Sequence, residues 1–212
     1  VPMGVIGLTP VHKAHYISSL CEDMGRKCLI ICPDEGTAVK MCEDLNIFSD
    51  GAYVYPARDY NFRPMDSQSR EFEQRRISVL SKMITGDYKY ILCSVEAAVQ
   101  LTLPDFELSA RTLNIDSGED YPQNKIIRTL LCAGYVRSDT VDGVGQFSVR
   151  GGILDIFPPS YTHPVRLEFW GDTVDSISLF DIANQRRTQV LDSVSITPAC
   201  EILFDSPEVM KE

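Results

Sequence analysis

The sequence lacks the features that would define several large classes of protein. None of its apolar runs approaches the roughly eighteen residues that a membrane-spanning helix needs, so no membrane contact is expected. No basic segment followed by an apolar one is visible at its start, which gives no indication of a secretory leader. Its seven cysteines are an odd number without the spacing of a disulfide framework. These absences together predict a cytoplasmic protein that keeps its thiols reduced.

Positive charge is also scarce. The 212 residues contain 20 lysines and arginines against 30 aspartates and glutamates, a net charge of −10. A nucleic-acid binder that works alone obtains most of its affinity by neutralising phosphates with basic side chains. The charge balance therefore argues against such a binder and favours a polypeptide or small-molecule partner. The sequence also has no G-x-S-x-G elbow or other nucleophile motif, and we expect no catalytic residue in it.

Two patterns of apolar residues divide the chain. In the first half, helical spacings alternate with short apolar runs such as "KCLIICP", "AYVYP" and "YKYILCS", which predicts a doubly wound parallel sheet. After about Asp116, one amphipathic helix ("EDYPQNKIIRTLLCAG") precedes short alternating runs, as in an antiparallel sheet. We therefore predict the α/β class: a parallel α/β domain over residues 1–115, then a small α+β domain with an antiparallel sheet over 116–200. Residues 201–212 are predicted to begin a further segment that is cut short.

Near the start of the chain, "GLTPVHKAH" has the register of a phosphate-binding loop but not its residues. The pattern G-x-x-x-x-G-K-[ST] falls on Gly7, His12, Lys13 and Ala14. His12 brings a Cβ and a ring to a position where glycine lets backbone N–H groups close on phosphate. Ala14 has no hydroxyl to hold Mg²⁺, and Pro10 removes one N–H donor. The loop is therefore predicted to be degenerate, and the chain to bind no nucleotide cofactor.

Two pairs of residues have both a chemical and a structural interpretation. His12 and His15 could present two metal ligands at i and i+3, but no third ligand is indicated nearby. Solvated histidines at the start of a helix fit that pattern better, and we expect no metal site. Cys28 and Cys32 lie in an apolar run, where core packing is favoured over redox chemistry.

Three arginines of the predicted helix in "SREFEQRR" also have two interpretations. Arg70, Arg75 and Arg76 could contact DNA phosphates. Two glutamates lie between them, however, and opposite charges three or four residues apart favour a solvated helix face. The solvated face is the interpretation that we prefer from the sequence.

The longest distinctive pattern lies in the second half, in "GYVRSDTVDGVGQFSVRGGILDIFPPSYTHPVRLEFWGDTVDSISLFD". It reads G-Y-x-R, then G-x-F-x-x-R-G-x-x-[LV]-[DE]-[IL]-F-P, then R-[LIV]-[DE]-F-[FW]-x-D. This stretch resembles the module shared by UvrB, of bacterial nucleotide excision repair, and the transcription-repair coupling factor Mfd. The earlier stretch "YPARDYNFRPMDSQSREFEQRRISVLSKM" is similar to a loop and Arg-rich helix of the coupling factor. The resemblance implies a fold like UvrB domain 1a followed by one like UvrB domain 2.

The resemblance also implies a partner and the residues that bind it. In the family, the second domain binds UvrA, the damage-recognition ATPase subunit, and the matching positions are Arg137, Arg150, Arg166 and Glu168. Guanidinium groups suit this task because they are planar, always charged and able to bind carboxylates with two parallel hydrogen bonds. Spacing alone leaves open a second interpretation, in which these charges keep edge strands soluble. One position departs from the UvrB pattern "FRVRG": Ser148 replaces an arginine, which would weaken or reshape the contact.

Two classes of function follow from the resemblance. In the first, the chain is the N-terminal part of a coupling factor and a non-catalytic module that recruits UvrA. RNA polymerase, DNA and ATP with Mg²⁺ would then be bound by other domains of a full-length ATP-dependent DNA translocase. In the second, the chain is a UvrB-like, ATP-dependent damage-verification enzyme. Two features favour the first class. The chain has "VHKAH" in place of G-K-[ST], and it has no long hairpin between the Tyr60 loop and the Ser67 helix.

Overall fold

The computed structural model describes residues 3–58 and 70–203. The predicted loop at Tyr60, the predicted helix start at Ser67 and most of the predicted further segment, residues 204–212, lie outside the described residues. Within the described part of the chain, no helix is long and apolar enough to cross a membrane.

The described residues form two compact units. The first unit consists of residues 3–58 and 82–101, and the second consists of residues 70–81 and 102–203. Each unit has its own hydrophobic core. They are therefore described separately.

The first unit is built around a small parallel sheet. Its elements are α1 (Pro10–Met24), β1 (Cys28–Cys32), α2 (Glu35–Phe48), β2 (Ala52–Tyr55), the last residues of α3 (Glu71–Thr85), β3 (Tyr90–Ser94) and α4 (Val95–Val99). The strands pair in parallel in the order β1-β3-β2, and every residue of the central strand β3 is buried. The prediction of a parallel sheet with intervening helices in the first half of the chain is confirmed.

Local sequence signals fix the helix ends of this unit. Helix α1 begins with Pro10, whose missing N–H is not needed in the first turn, and ends before Gly25, which adopts φ +60°. Helix α2 is capped by Asp34, whose carboxylate accepts a hydrogen bond from the Thr37 N–H at 2.8 Å. That hydrogen bond holds the pKa of Asp34 below its ordinary value. The helices pack on the sheet through small and branched residues that include Ala14, Ala38, Leu45 and Leu92.

The second unit contains a six-stranded sheet. Its elements are the first part of α3, α5 (Asp105–Arg111), β4 (Leu113–Asp116), α6 (Gln123–Cys132), β5 (Val136–Arg137), β6 (Gln146–Arg150), β7 (Ile153–Ile156), β8 (Val165–Trp170), β9 (Thr173–Phe180), β10 (Arg187–Leu191) and β11 (Ser193–Ile196). The large sheet has the order β10-β9-β8-β7-β6-β5, with every pair antiparallel except β5 and β6. Strands β4 and β11 form a separate antiparallel pair. The predicted antiparallel sheet is therefore confirmed.

Helix α6 covers one face of the large sheet. Its buried Ile126 and Leu130 lie in the same core as the inward-facing residues Phe147, Leu154, Leu167 and Ile177. The helix begins at Gln123, later than the stretch that the sequence predicts. The chain just before it is held in another conformation, because Asp120 bridges to Thr173, whose hydroxyl donates to the Asp120 carboxylate at 2.6 Å.

The predicted domain division falls inside a strand. Strand β4 crosses the position between Ile115 and Asp116, pairs with β11 and buries Ile115 in the core of the second unit. Residues 102–115, which the sequence analysis assigned to the first domain, are accordingly grouped with the second unit. Independent folding on either side of residue 115 stays a prediction.

The predicted solvated arginine face of α3 is wrong for one of its three members. Arg76 is fully buried, and its Nε donates to Oε1 of Glu201 at 2.9 Å. Arg70 donates to the backbone carbonyl of Gly134 at 2.9 Å, while Arg75 stays at the surface. The charge pattern along a helix could not reveal the burial of Arg76, because Glu201 lies 125 residues further along the chain.

Candidate interaction site

The charged residues predicted to bind a partner lie mainly on one face of the six-stranded sheet. Residues paired across neighbouring strands point to the same side, so the strand register arranges this face in rows. One row contains Ser148, Asp155, Arg166 and Ser178, and the next contains Arg150, Ile153, Glu168 and Ser176. The opposite face packs into the core beneath α6. We call the surface formed by these two rows the arginine face.

A buried carboxylate lies at the centre of the arginine face. Asp155 is 1% exposed, and it accepts hydrogen bonds from Nη2 of Arg150 at 2.6 Å and from Nε and Nη2 of Arg166 at 2.7 and 2.9 Å. Such charge-assisted, partly bidentate contacts are short and strong. Asp155 is not among the residues predicted for the site. The sequence feature that could have identified it is the alternation of apolar and polar residues in "ILDIF". This alternation places the carboxylate on the face of the strand opposite Leu154 and Ile156.

Arg166 is held on several sides. Its guanidinium carbon lies 4.4 Å from the centroid of the Phe180 ring, a cation–π geometry. Its Nη1 and Nη2 also donate to the carbonyl and side-chain oxygens of Gln185, at 3.4 and 3.3 Å. The hydrogen bonds to Asp155 raise the pKa of Arg166 above its ordinary value. With 12% of its side chain exposed, Arg166 is mostly engaged within the chain.

Glu168 is paired within the chain as well. It forms a salt bridge with Arg187 of β10 and accepts a hydrogen bond from the Ser176 hydroxyl at 3.1 Å. The hydrogen bond from Arg187 lowers the pKa of Glu168. As predicted from their spacing on β8, Arg166 and Glu168 lie on the same face of the sheet.

The two remaining arginines differ in position. Arg150 is the more accessible partner of Asp155, with 46% of its side chain exposed at the end of β6. Arg137, on the short edge strand β5, is aligned with Phe147, whose side chain is in the core. The register therefore separates Arg137 from the arginine face, and the structure does not bring together all four residues predicted for the site.

Ser148 occupies a covered position. It is buried, and its hydroxyl donates to the backbone carbonyl of Asp139 at 2.7 Å. Residues 138–144 lie over this end of the sheet, where Val141 packs with Phe157 and Phe180 in a small apolar cluster. The position that carries an arginine in UvrB-type sequences therefore anchors a loop segment here and presents no charge.

One exposed aromatic residue was also missed. Trp170, at the end of β8, is 84% exposed. It precedes Gly171, which adopts φ +66° in the turn to β9. The neighbouring Phe169 N–H donates to the carbonyl of Gly152 at 2.7 Å, so Trp170 lies at the same end of the sheet as the turn that follows Arg150. The signal in the sequence was a tryptophan directly before the turn glycine in "EFWGD".

The degenerate loop lies in the first unit. Gly7 adopts φ +82°, and His12 and Lys13 are exposed on the first turns of α1. Ala14 is fully buried in the core, so position 14 contributes to packing between α1 and the sheet. Gly7 therefore lies three residues before α1, and the helix carries the other three residues of the loop pattern.

Two observations concern the candidate metal ligands and the thiols of the described residues. No group of three or more His, Cys, Asp or Glu residues able to hold a metal ion occurs in the described part of the chain. Burial raises the pKa of Cys28, and that of Cys200, to about 11, which keeps both thiols protonated near neutral pH. The predicted core role of Cys32 agrees with its burial.

Comparisons with known proteins bear on this arrangement. Residues 113–201 match the family described as the UvrB interaction domain, and that range contains the whole arginine face. The fold and the match together therefore define this part of the chain as a protein module of the UvrB interaction type, with a charged face on its sheet.

The chain is also similar to proteins named transcription-repair-coupling factor. It is 30% identical over 205 residues to one from Bacillus subtilis (strain 168), and 32% identical over 207 residues to one from Myxococcus xanthus. These alignments cover 95% and 93% of this chain, respectively, but only 17% of each relative. The resemblance stated from the sequence is confirmed: the chain is a relative of the transcription-repair-coupling factors and carries a UvrB interaction domain.

Proposed function

We propose that this chain is the N-terminal part of a transcription-repair coupling factor and the module that recruits UvrA during transcription-coupled nucleotide excision repair. The observation that supports this most strongly is the coincidence of two features. The match to the UvrB interaction domain spans residues 113–201, and that range contains the arginine face with its exposed Arg150 and, at the same end of the sheet, the exposed Trp170.

Arg150 and Trp170 are the proposed centre of the contact. Arg150 uses Nη2 for Asp155 and has nearly half of its side chain exposed, so its other N–H groups can bind a carboxylate of the partner. Tryptophan and arginine are the residues most enriched among those that dominate binding energy at protein interfaces. Arg166 and Glu168 would then shape the surface around this centre.

The proposed module does no chemistry of its own. Ala14 is a core residue and His12 occupies the position of the loop's second glycine, which favours the interaction module over a UvrB-like ATP-dependent enzyme. In the proposed full-length protein, an ATP-dependent DNA translocase, ATP and Mg²⁺ would be bound by motor domains. RNA polymerase and DNA would likewise be contacted by other domains.

A titration of UvrA with the 212-residue chain tests the proposal. Arg150→Ala should weaken binding by about 2–4 kcal/mol, roughly 30- to 1000-fold, if the arginine is central to the interface. A thermal melt of the variant should show a cooperative transition with at most a modest loss of stability, because Asp155 keeps its two hydrogen bonds from Arg166. Arg128→Ala, an exposed arginine on α6 beyond the other face of the sheet, is the matched control and should bind normally. Unchanged binding by Arg150→Ala would refute the proposed interface.

A further inference from the structure

Asp155 is placed differently from the other residues of the arginine face. It is buried at the centre of the face, where it cannot touch a protein partner. It nevertheless contacts both arginines of the cluster, through one hydrogen bond from Arg150 and two from Arg166. Its carboxylate therefore joins the exposed part of the face to the part that is held within the chain.

The two arginines depend on Asp155 to different degrees. Arg166 keeps the Phe180 ring and Gln185 as neighbours even without the carboxylate. For Arg150, the contact with Asp155 is the side-chain hydrogen bond that the structure shows. An arginine with 46% of its side chain exposed would otherwise sample many rotamers in solvent. Asp155 thus selects one orientation of Arg150 before any partner arrives.

We infer that Asp155 is a positioning residue of the interaction site, which orders Arg150 in advance for a carboxylate of UvrA. This inference rests on the proposed function. Ordering a rotamer-rich side chain when an interface forms lowers the affinity by roughly 2- to 12-fold. A side chain that is already ordered in the free protein avoids that loss.

The substitution Asp155→Asn separates positioning from a purely structural role. An asparagine keeps the size of the side chain but replaces one acceptor oxygen by an N–H donor, which faces the donor groups of the arginines. Arg166 is retained by its other contacts, so Arg150 is the side chain that is released. We expect UvrA affinity to fall by roughly 2- to 12-fold, less than for Arg150→Ala.

A double-mutant cycle distinguishes positioning of Arg150 from a purely structural role of Asp155. If Asp155 acts through Arg150, Asp155→Asn should have little further effect on binding in an Arg150→Ala chain. Additive losses in the double variant would overturn the inference. Asp192→Asn, which makes the same change at an exposed carboxylate, is the control and should bind like the native chain.

A second measurement needs no partner. In the 212-residue chain with ¹⁵N-labelled arginine, the Arg150 guanidinium should give slowly rotating, dispersed Nη signals that are lost in Asp155→Asn; Arg150→Ala assigns them. Freely averaging Arg150 signals in the native chain would overturn the inference even if Asp155→Asn failed to fold. Restricted rotation that depends on Asp155, together with a native chain that does not bind UvrA, would uphold the positioning and refute the proposed function instead.

Discussion

At the scale of single residues, the arginine face is held together by opposite charges that satisfy one another. Asp155 is surrounded by Arg150 and Arg166, and Glu168 is paired with Arg187. A buried or half-buried carboxylate is tolerated in a protein only when such partners replace the water that it loses. The conformation of the face should therefore depend on the protonation of its acidic groups.

Acid is expected to weaken the fold through Glu168. Chiefly because Arg187 donates to it, the pKa of Glu168 in the folded chain lies below its ordinary value of 4.5. The folded state therefore binds this proton less readily than the unfolded state. The stabilisation is complete above the unfolded pKa and is lost as the pH falls through the lower folded value.

Thermal melts of the native chain and of Glu168→Gln between about pH 7 and pH 3 measure this contribution. The variant should be less stable near neutral pH, and the difference between the two chains should shrink in acid. Glu119→Gln, at an exposed position, controls for the general effect of removing a carboxylate. A difference that stays constant over the whole pH range would contradict the role assigned to Glu168.

At the scale of elements, the segment over residues 138–144 borders the arginine face at Ser148 and contains no helix or strand. It is held by the Ser148 hydroxyl beneath Asp139 and by the packing of Val141 against Phe157. An arginine at position 148 would have to displace this segment to reach solvent. The resemblance to UvrB would suggest a gain in binding from such an arginine, whereas the structure argues for a loss of order.

Ser148→Arg is therefore expected to destabilise the chain by about 1–3 kcal/mol, the usual effect of forcing a larger side chain into a filled site. Amide hydrogen exchange should become faster over residues 138–144 and stay unchanged in α6. Ser148→Ala, which removes only the hydrogen bond, should cost about 1 kcal/mol and serves as the comparison. Tighter UvrA binding by Ser148→Arg with no change in exchange would show that position 148 is open to a partner.

Helix α1 carries the second prediction at this scale. We expect no measurable binding of Mg-ATP by calorimetry, because His12 replaces the glycine of the loop and Ala14 is packed in the core. The double variant His12→Gly with Ala14→Thr should not restore binding, and it should lower stability because a hydroxyl enters the core at position 14. A micromolar dissociation constant with a stoichiometry near one in the native chain would contradict this.

The elements could be predicted from the sequence because their signals are local. The short apolar run of β3, and the alternation of apolar and polar residues along β7 and β8, reflect which side chains are buried and which are exposed to water. The central contacts of the site could not be predicted in this way. Asp155 meets Arg166 only once β7 and β8 are aligned, and Arg76 meets Glu201 across 125 residues of sequence. Burial and pairing of charges depend on such long-range register, which spacing along one element does not reveal.

At the scale of the whole molecule, the second unit is assembled from two separate stretches of the chain. Residues 102–203 contain the sheets, and residues 70–81 supply the first part of α3. The pair Arg76–Glu201 joins the two stretches, with both side chains almost completely buried. A fragment that omits either stretch loses one partner of this pair.

Two fragments test how far the second unit folds alone. A fragment of residues 116–200 follows the predicted division, but it lacks most of β4, so β11 loses its partner and Ile115 leaves the core. A fragment of residues 102–203 keeps both strands, and we expect it to melt cooperatively at a higher temperature than the shorter one. Equal melting temperatures would instead support the division at residue 115.

The pair Arg76–Glu201 provides the internal control for this experiment. In the 212-residue chain, Glu201→Gln leaves the charge of Arg76 buried without that carboxylate, and breaking a buried pair in this way typically costs about 3–5 kcal/mol. In the fragment of residues 102–203, Arg76 is absent, so the same substitution should be neutral or stabilising. Thermal melts of the four proteins measure the difference. An equal loss of stability in both contexts would show that Glu201 is needed for its contacts within residues 102–203, and that the pair with Arg76 contributes nothing to joining the two stretches.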